Sequence, residues 1–164
     1  MKKLIIIFSI ITITVSNSLK GQTHDSILIY YNTLEYHFNT FKSNDDTKNV
    51  SYKAPLNGLD IFIVLPYNIA TNFPDTCCGH KLHKTNYSAL SDLRLKSKSD
   101  IDFIEVEKAY RTEDGSLLIP IINRIAVKKR KKVIMGIYIG FEYQIQVGRS
   151  FNEIKIKRLS HHLE

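Results

Sequence analysis

VIMGIYIGFEYQIQV, residues 133–147, is apolar or aromatic at every odd position and mixed at every even one. Successive side chains of an extended strand point to opposite sides. The pattern therefore gathers Val133, Met135, Ile137, Ile139, Phe141, Tyr143, Ile145 and Val147 on one face. Ile134, Gly136, Tyr138, Gly140, Glu142, Gln144 and Gln146 form the other. Glycines at 136 and 140 mark where so long a strand can bend or bulge. One buried and one mixed face is the pattern of an antiparallel sheet with a core on one side.

The neighbouring segments continue this reading. SLLIPIINRIAV (116–127) leads into the strand across KKRKK (128–132), which reads as a hairpin tip. Upstream, DIDFIEVEKAYRT (100–112) alternates, and TEDGS (112–116) holds the Asp-Gly pair of a tight hairpin. Downstream, Gly148-Arg149-Ser150 is a turn and FNEIKIKRL (151–159) a closing strand. Toward the N-terminus the period changes to that of a helix. DSILIYYNTLEYHFNTFK (25–42) spaces Ile27, Tyr30, Tyr31, Leu34, Phe38 and Phe41 along one face, with Asp25 placed to accept from the first free amides. DIFIVLP (60–66) is a short buried strand ended by Pro66, and YSALSDLRL (87–95) a weaker helix with Leu90 and Leu93 as core contacts. The expected fold is α+β: N-terminal helices packed on a curved antiparallel sheet of four to five strands.

This order of elements resembles the cystatin-like α+β roll of the nuclear-transport-factor and SnoaL-like superfamily. DIFIVLP, the TEDGS hairpin, the long strand at 133–147 and FNEIKIKRL carry the resemblance. It implies a bent sheet wrapped around helices as a cone with a pocket at its wide end. It is a resemblance of architecture, so no catalytic residue is carried over, and the tryptophan found near the end of many members has no counterpart in this chain.

Met1-Lys2-Lys3, the apolar run at 4–15 and the polar stretch 16–22 have the order of a signal peptide. The run falls short of the roughly 20 residues that span a bilayer. Cleavage is expected before Gln22, and no cysteine near the cut offers a lipidation site. Loss of residues 1–21 removes Lys2, Lys3 and Lys20 and no acid, lowering the formal charge from +7 to +4. Residues 22–164 then form one exported α+β domain, periplasmic or extracellular and without a membrane span, long enough to bury close to 70% of its unfolded surface.

Both faces of SLLIPIINRIAV are largely apolar, and only one can meet the helices. The other, with Ile122, Ile134 and Tyr138, predicts a homodimer through the outer sheet face. The alternative is cover from Pro120 and surrounding loops.

DTCCGHKLHK (75–84) holds the two cysteines of the chain, Cys77 and Cys78, with His80 and His83 just after. Adjacent α-carbons sit about 3.8 Å apart, below the roughly 4.4 to 6.8 Å of an ordinary disulfide. A Cys77–Cys78 bond would be strained, yet it ranks first for an exported chain, ahead of intermolecular bonds and free thiols. Cys77, His80 and His83 recur every third residue and form a zinc or copper set if one tight turn stacks them, although no second ligand pair accompanies them apart from His161 and His162. A chain beginning Gln22-Thr23-His24 could also hold square-planar copper or nickel unless Gln22 cyclises. The loop reading, with no dedicated ion and no cofactor, is preferred.

KKRKK concentrates positive potential, but export and the lack of a stacking platform weigh against nucleic acid and for a solvated tip. No phosphate loop, nucleophile elbow or His-Glu-x-x-His helix is present. Tyr31, His37 and Asn123 are the residues best placed to line a pocket. Glu105 and Glu107 share a strand face that is expected to be outer and solvated. The expected function is non-catalytic binding of a small apolar ligand or a partner protein. The alternatives are a small SnoaL-like lyase, isomerase or hydrolase, and a metal- or thiol-handling protein.

Overall fold

The computed structural model describes residues 25–40, 60–148 and 153–159. The expected signal peptide, the expected Gln22-Thr23-His24 site, Phe41, segment 43–58, Arg149, Ser150, His161 and His162 lie outside the described residues. The elements run α1 (25–40), β1 Asp60–Val64, α2 Tyr67–Ala70, β2 Thr76–Cys77, β3 His80–Thr85 and α3 Tyr87–Lys96. They continue with β4 Ile101–Val106, β5 Tyr110–Arg111, β6 Leu117–Lys129, β7 Lys132–Val147 and β8 Ile154–Arg158. The class is α+β, and the eight strands form one mixed sheet in the order β2-β3-β1-β4-β6-β7-β8, with β5 paired to β6.

The C-terminal half is the expected antiparallel meander, while the N-terminal half is not. Strand β1 lies between β3 and β4 and runs parallel to both. Helix α3 links β3 to β4 across the sheet, a crossover that parallel strands require. Helices consequently cover both faces, where the cone reading had placed them all on one. On one side, Leu34 and Phe38 of α1 meet Ile61, Ile63, Ile104, Val106, Ile119, Ile121, Phe141 and Tyr143. On the other, Leu90 of α3 meets Ile101, Phe103 and Ala126, with Phe62, Val64, Val133 and Met135 alongside. DIFIV has no polar face because both of its faces are packed.

A single inserted residue decides which layer each part of β7 serves. Asn123 pairs with Ile139 but Arg124 pairs with Ile137, so Tyr138 is a bulge between the two flanking glycines. The stripe of odd positions is thereby cut. Phe141, Tyr143 and Ile145 are buried under α1, whereas Val133 and Met135 pack with the α3 cluster and Ile137 is exposed. The expected dimer patch does not form one surface for the same reason. Ile122 lies on the α3 face, and Ile134, opposite Val127, lies on the α1 face. The side chain of Tyr138 lies outside the described ones.

Two smaller corrections follow from packing. Asn86 caps α3 by accepting from the Ala89 amide, but the helix turns Leu90 and Arg94 inward while Leu93 is exposed. The Arg94 head donates to Asp100 and to the Ser97 carbonyl, so its stem can lie under the helix. The run at 100–112 is broken at 107–109: β4 and β5 pair β6 in registers one residue apart, and the Tyr30 hydroxyl accepts from the Ala109 amide at 2.6 Å. The TEDGS hairpin forms as read, with Gly115 at φ 81.

Candidate functional site

The cysteine stretch is a hairpin rather than a loop. Cys77 pairs with His80 across a two-residue turn made by Cys78 and Gly79, whose φ angles are 51 and 79. Two left-handed residues in succession are what a tight hairpin turn requires, and Gly79 meets that demand at no steric cost. Alternation then separates the histidines. His80 points with Leu82 toward α1, its ring 5.4 Å from that of Phe38, while His83 is opposite Phe62 on the other face and bonds Asp60 at 2.9 Å. Cys77, His80 and His83 therefore cannot meet at one ion, because strand geometry replaces the helical turn that would have stacked them. Among the described residues no group of three or more His, Cys, Asp or Glu side chains could hold a metal.

Both cysteines are free thiols. Burial, then the neighbouring Cys78, pushes the Cys77 thiol up to about 12, which leaves it a poor nucleophile. Tyr31 bonds this thiol and stacks on Phe73 at 6.1 Å between centroids.

Tyr31 is thus separated from the other two expected pocket residues, which do come together. His37 is wholly buried, its Nδ1 2.7 Å from the Tyr143 hydroxyl, and the buried Asn123 side chain lies beside it. The rings of Phe141 and Tyr143 stand edge-on to it at 5.3 and 5.8 Å. Burial, with the Arg158 charge acting in the same direction, lowers the imidazole to about 3. His37, Asn123 and Tyr143 form a buried polar knot inside the α1 layer.

A cleft opens at the carboxyl ends of β1 and β4. After β1 the chain turns toward β3, and after β4 it turns toward β6, so two parallel neighbours part company at their ends. A topological switch of this kind leaves a crevice where open α/β sheets bind their ligands. Here it is a cleft of about 730 Å³ lined by Val64, Leu65, Pro66, Tyr67, Asn68, Glu105, Val106, Glu107 and Lys108. Its size is that of a small-molecule site, within roughly 300 to 1,000 Å³. Val64, Leu65 and Val106 supply an apolar floor, and the Tyr67 ring stands free at the rim, 95% exposed.

Glu105 is not on an outer strand, since β4 is enclosed by β1 and β6, and Glu107 follows just beyond the end of β4. Both oxygens of Glu105 are engaged, Oε1 by the Tyr87 hydroxyl and Oε2 by the Arg124 Nε. Burial, then the bond to Glu105, pushes Tyr87 up to about 12, so the phenol stays a donor. Burial, then the Glu105 charge, raises the Glu107 carboxyl above the ordinary glutamate range. Tyr67, Asn68 and Lys108 had no signal in the sequence, because their meeting depends on strand order rather than on any local pattern.

No family model, curated protein or solved structure matches this chain. Among the described residues no helix is long and apolar enough to cross a membrane.

Proposed function

We propose that this chain is an exported, non-catalytic binding domain whose site is the cleft at the ends of β1 and β4, and whose ligand joins an apolar body to a cationic group. The observation that carries the reading is the pairing, in one open cleft, of an apolar floor with the Glu107 carboxylate and the free Tyr67 ring. A carboxylate held partly out of water and beside a second acid gains from a cation brought to it. An exposed aromatic ring adds about 0.5 to 1 kcal/mol for a cation over its face. Glu105 has both oxygens committed to Tyr87 and Arg124, which leaves Glu107 as the acid that meets the ligand.

Titration of a series of arylalkyl amines against the matching alcohols, followed by NMR, tests this. Amines should bind at least tenfold tighter than alcohols, as expected for a charged hydrogen bond of about 1.5 to 3 kcal/mol. Shift changes should fall on 64–68 and 105–108, and Glu107→Gln should abolish the preference. Binding should also weaken as pH falls through the raised Glu107 titration, because the ligand needs the ionised form. Equal affinity for amine and alcohol, or shift changes centred elsewhere, would refute the reading.

A further inference from the structure

We propose that the β6–β7 hairpin tip and the C-terminal end of α3 form a docking surface for an anionic phospholipid bilayer. Lys128, Lys129, Arg130, Lys131 and Lys132 are all exposed, or nearly so, and among the described residues none makes an ion pair. The backbone holds this charge at a cost. Pairing sets Lys129 directly opposite Lys132, and like charges across a ladder destabilise it. Arg130 sits at φ 58, a left-handed conformation for which glycine is the low-cost residue. The positive φ is what the two-residue turn at 130–131 requires, while the repulsion between Lys129 and Lys132 is relieved once an anionic surface neutralises the tip.

The tip is continuous with a second patch. Lys128 Nζ donates to the Leu95 carbonyl at 3.3 Å, which seats the tip against the end of α3. That end adds Lys96 and Lys98, and it exposes Leu93 and Leu95 by 40% and 41%. Ile137, 55% exposed, lies on the same face of the sheet. Of the nearby acids, Asp100 is held by Arg94 at 2.5 Å and Asp92 is exposed. Cations interleaved with projecting aliphatic side chains suit a bilayer, where charge meets headgroups and the apolar chains enter the interface. A polynucleotide would call for exposed aromatic rings at the tip. The exposed aromatics among the described residues are Tyr67, Tyr87 and Tyr110, none of them on the hairpin tip.

The test is co-sedimentation of the whole protein with phosphatidylglycerol-phosphatidylcholine vesicles and with pure phosphatidylcholine vesicles, at about 0.15 M salt. Each Lys or Arg near an anionic surface is worth about a fivefold gain in partitioning. The double variant Lys129→Gln/Lys131→Gln should therefore bind mixed vesicles about 25- to 30-fold more weakly. Both residues are exposed, so its circular dichroism should match the wild type. Leu95→Gln should weaken binding without altering its salt dependence. Failure of the wild type to sediment with mixed vesicles, equal binding to pure phosphatidylcholine, or undiminished binding of the double variant would overturn the proposal. So would displacement from vesicles by a single-stranded oligonucleotide at lower charge concentration than the lipid.

Discussion

Replacing His37 with glutamine should change how stability depends on pH more than it changes stability at neutrality. The unfolded chain protonates this side chain near 6.5 and the folded chain near 3, so between those values the unfolded state carries a proton that the folded state lacks. Stability is then complete above about pH 6.5 and is lost as pH falls, at up to about 1.4 kcal/mol per unit and about 5 kcal/mol over the whole window. Because His37 is wholly buried, no solvent screening reduces that figure. It is comparable with the entire stability of a marginal domain, roughly 5 to 15 kcal/mol. Glutamine cannot titrate, and at pH 7 its imperfect fit beside Tyr143 and Asn123 should cost about 1 to 3 kcal/mol. Urea unfolding of both proteins from pH 8 to pH 4 is the assay. Every other titrating group contributes to both curves and cancels in their difference. The wild type should lead by a constant margin above pH 6.5, and the margin should shrink below it and reverse near pH 5. An equal gap at pH 7 and pH 4 would show that His37 is protonated in the fold at its ordinary pH, and the buried polar knot would be refuted.

Two further outcomes are expected. Cys78→Asn should raise stability by about 0.5 to 1 kcal/mol in denaturant melts, because Asn-Gly suits two left-handed turn residues better than Cys-Gly; a loss would mean that the Cys78 thiol contacts outweigh backbone strain. Arg94→Ala should cost about 2 to 3 kcal/mol through the lost stem packing and the stranded Ser97 carbonyl, whereas Asp100→Asn, at a partner 42% exposed, should cost under about 1 kcal/mol; equal losses would place the energy in the ion pair alone.

Elements whose pattern is local were legible from the residues. The alternation at 116–147, the Asp-Gly hairpin and the aromatic stripe of the first helix each gave an observed element. Strand β3 was not legible, because HKLHKT has only Leu82 as an apolar side chain and its other inward position is a histidine. With β3 unseen, the parallel pairing of β1 was hidden, although the two apolar faces of DIFIV already required cover on both sides. The cysteine pair drew attention as chemistry when its sequence position answers a conformational need, a two-residue turn. His37 and Asn123 are each a polar interruption of an inward face, and both are buried. The cleft residues Tyr67 and Asn68 follow a proline that merely ends a strand in the sequence, and only the order of strands shows what they face.

The bulge at Tyr138 makes the long hairpin a joint of two leaves. Residues on one side of it are locked to the first helix, and those on the other to the third, so the same ladder of hydrogen bonds answers to two separate packings. An opening that frees the outer leaf from α3 need not disturb Phe141 or Tyr143, and amide exchange along β6 and β7 should fall into two classes that meet between Asn123 and Arg124. Length changes obey the same division: two residues added near the tip leave every side chain facing its own layer, and removal of the single residue at 138 restores a regular ladder in which Ile137 still opposes Arg124 and the outer leaf keeps its facing.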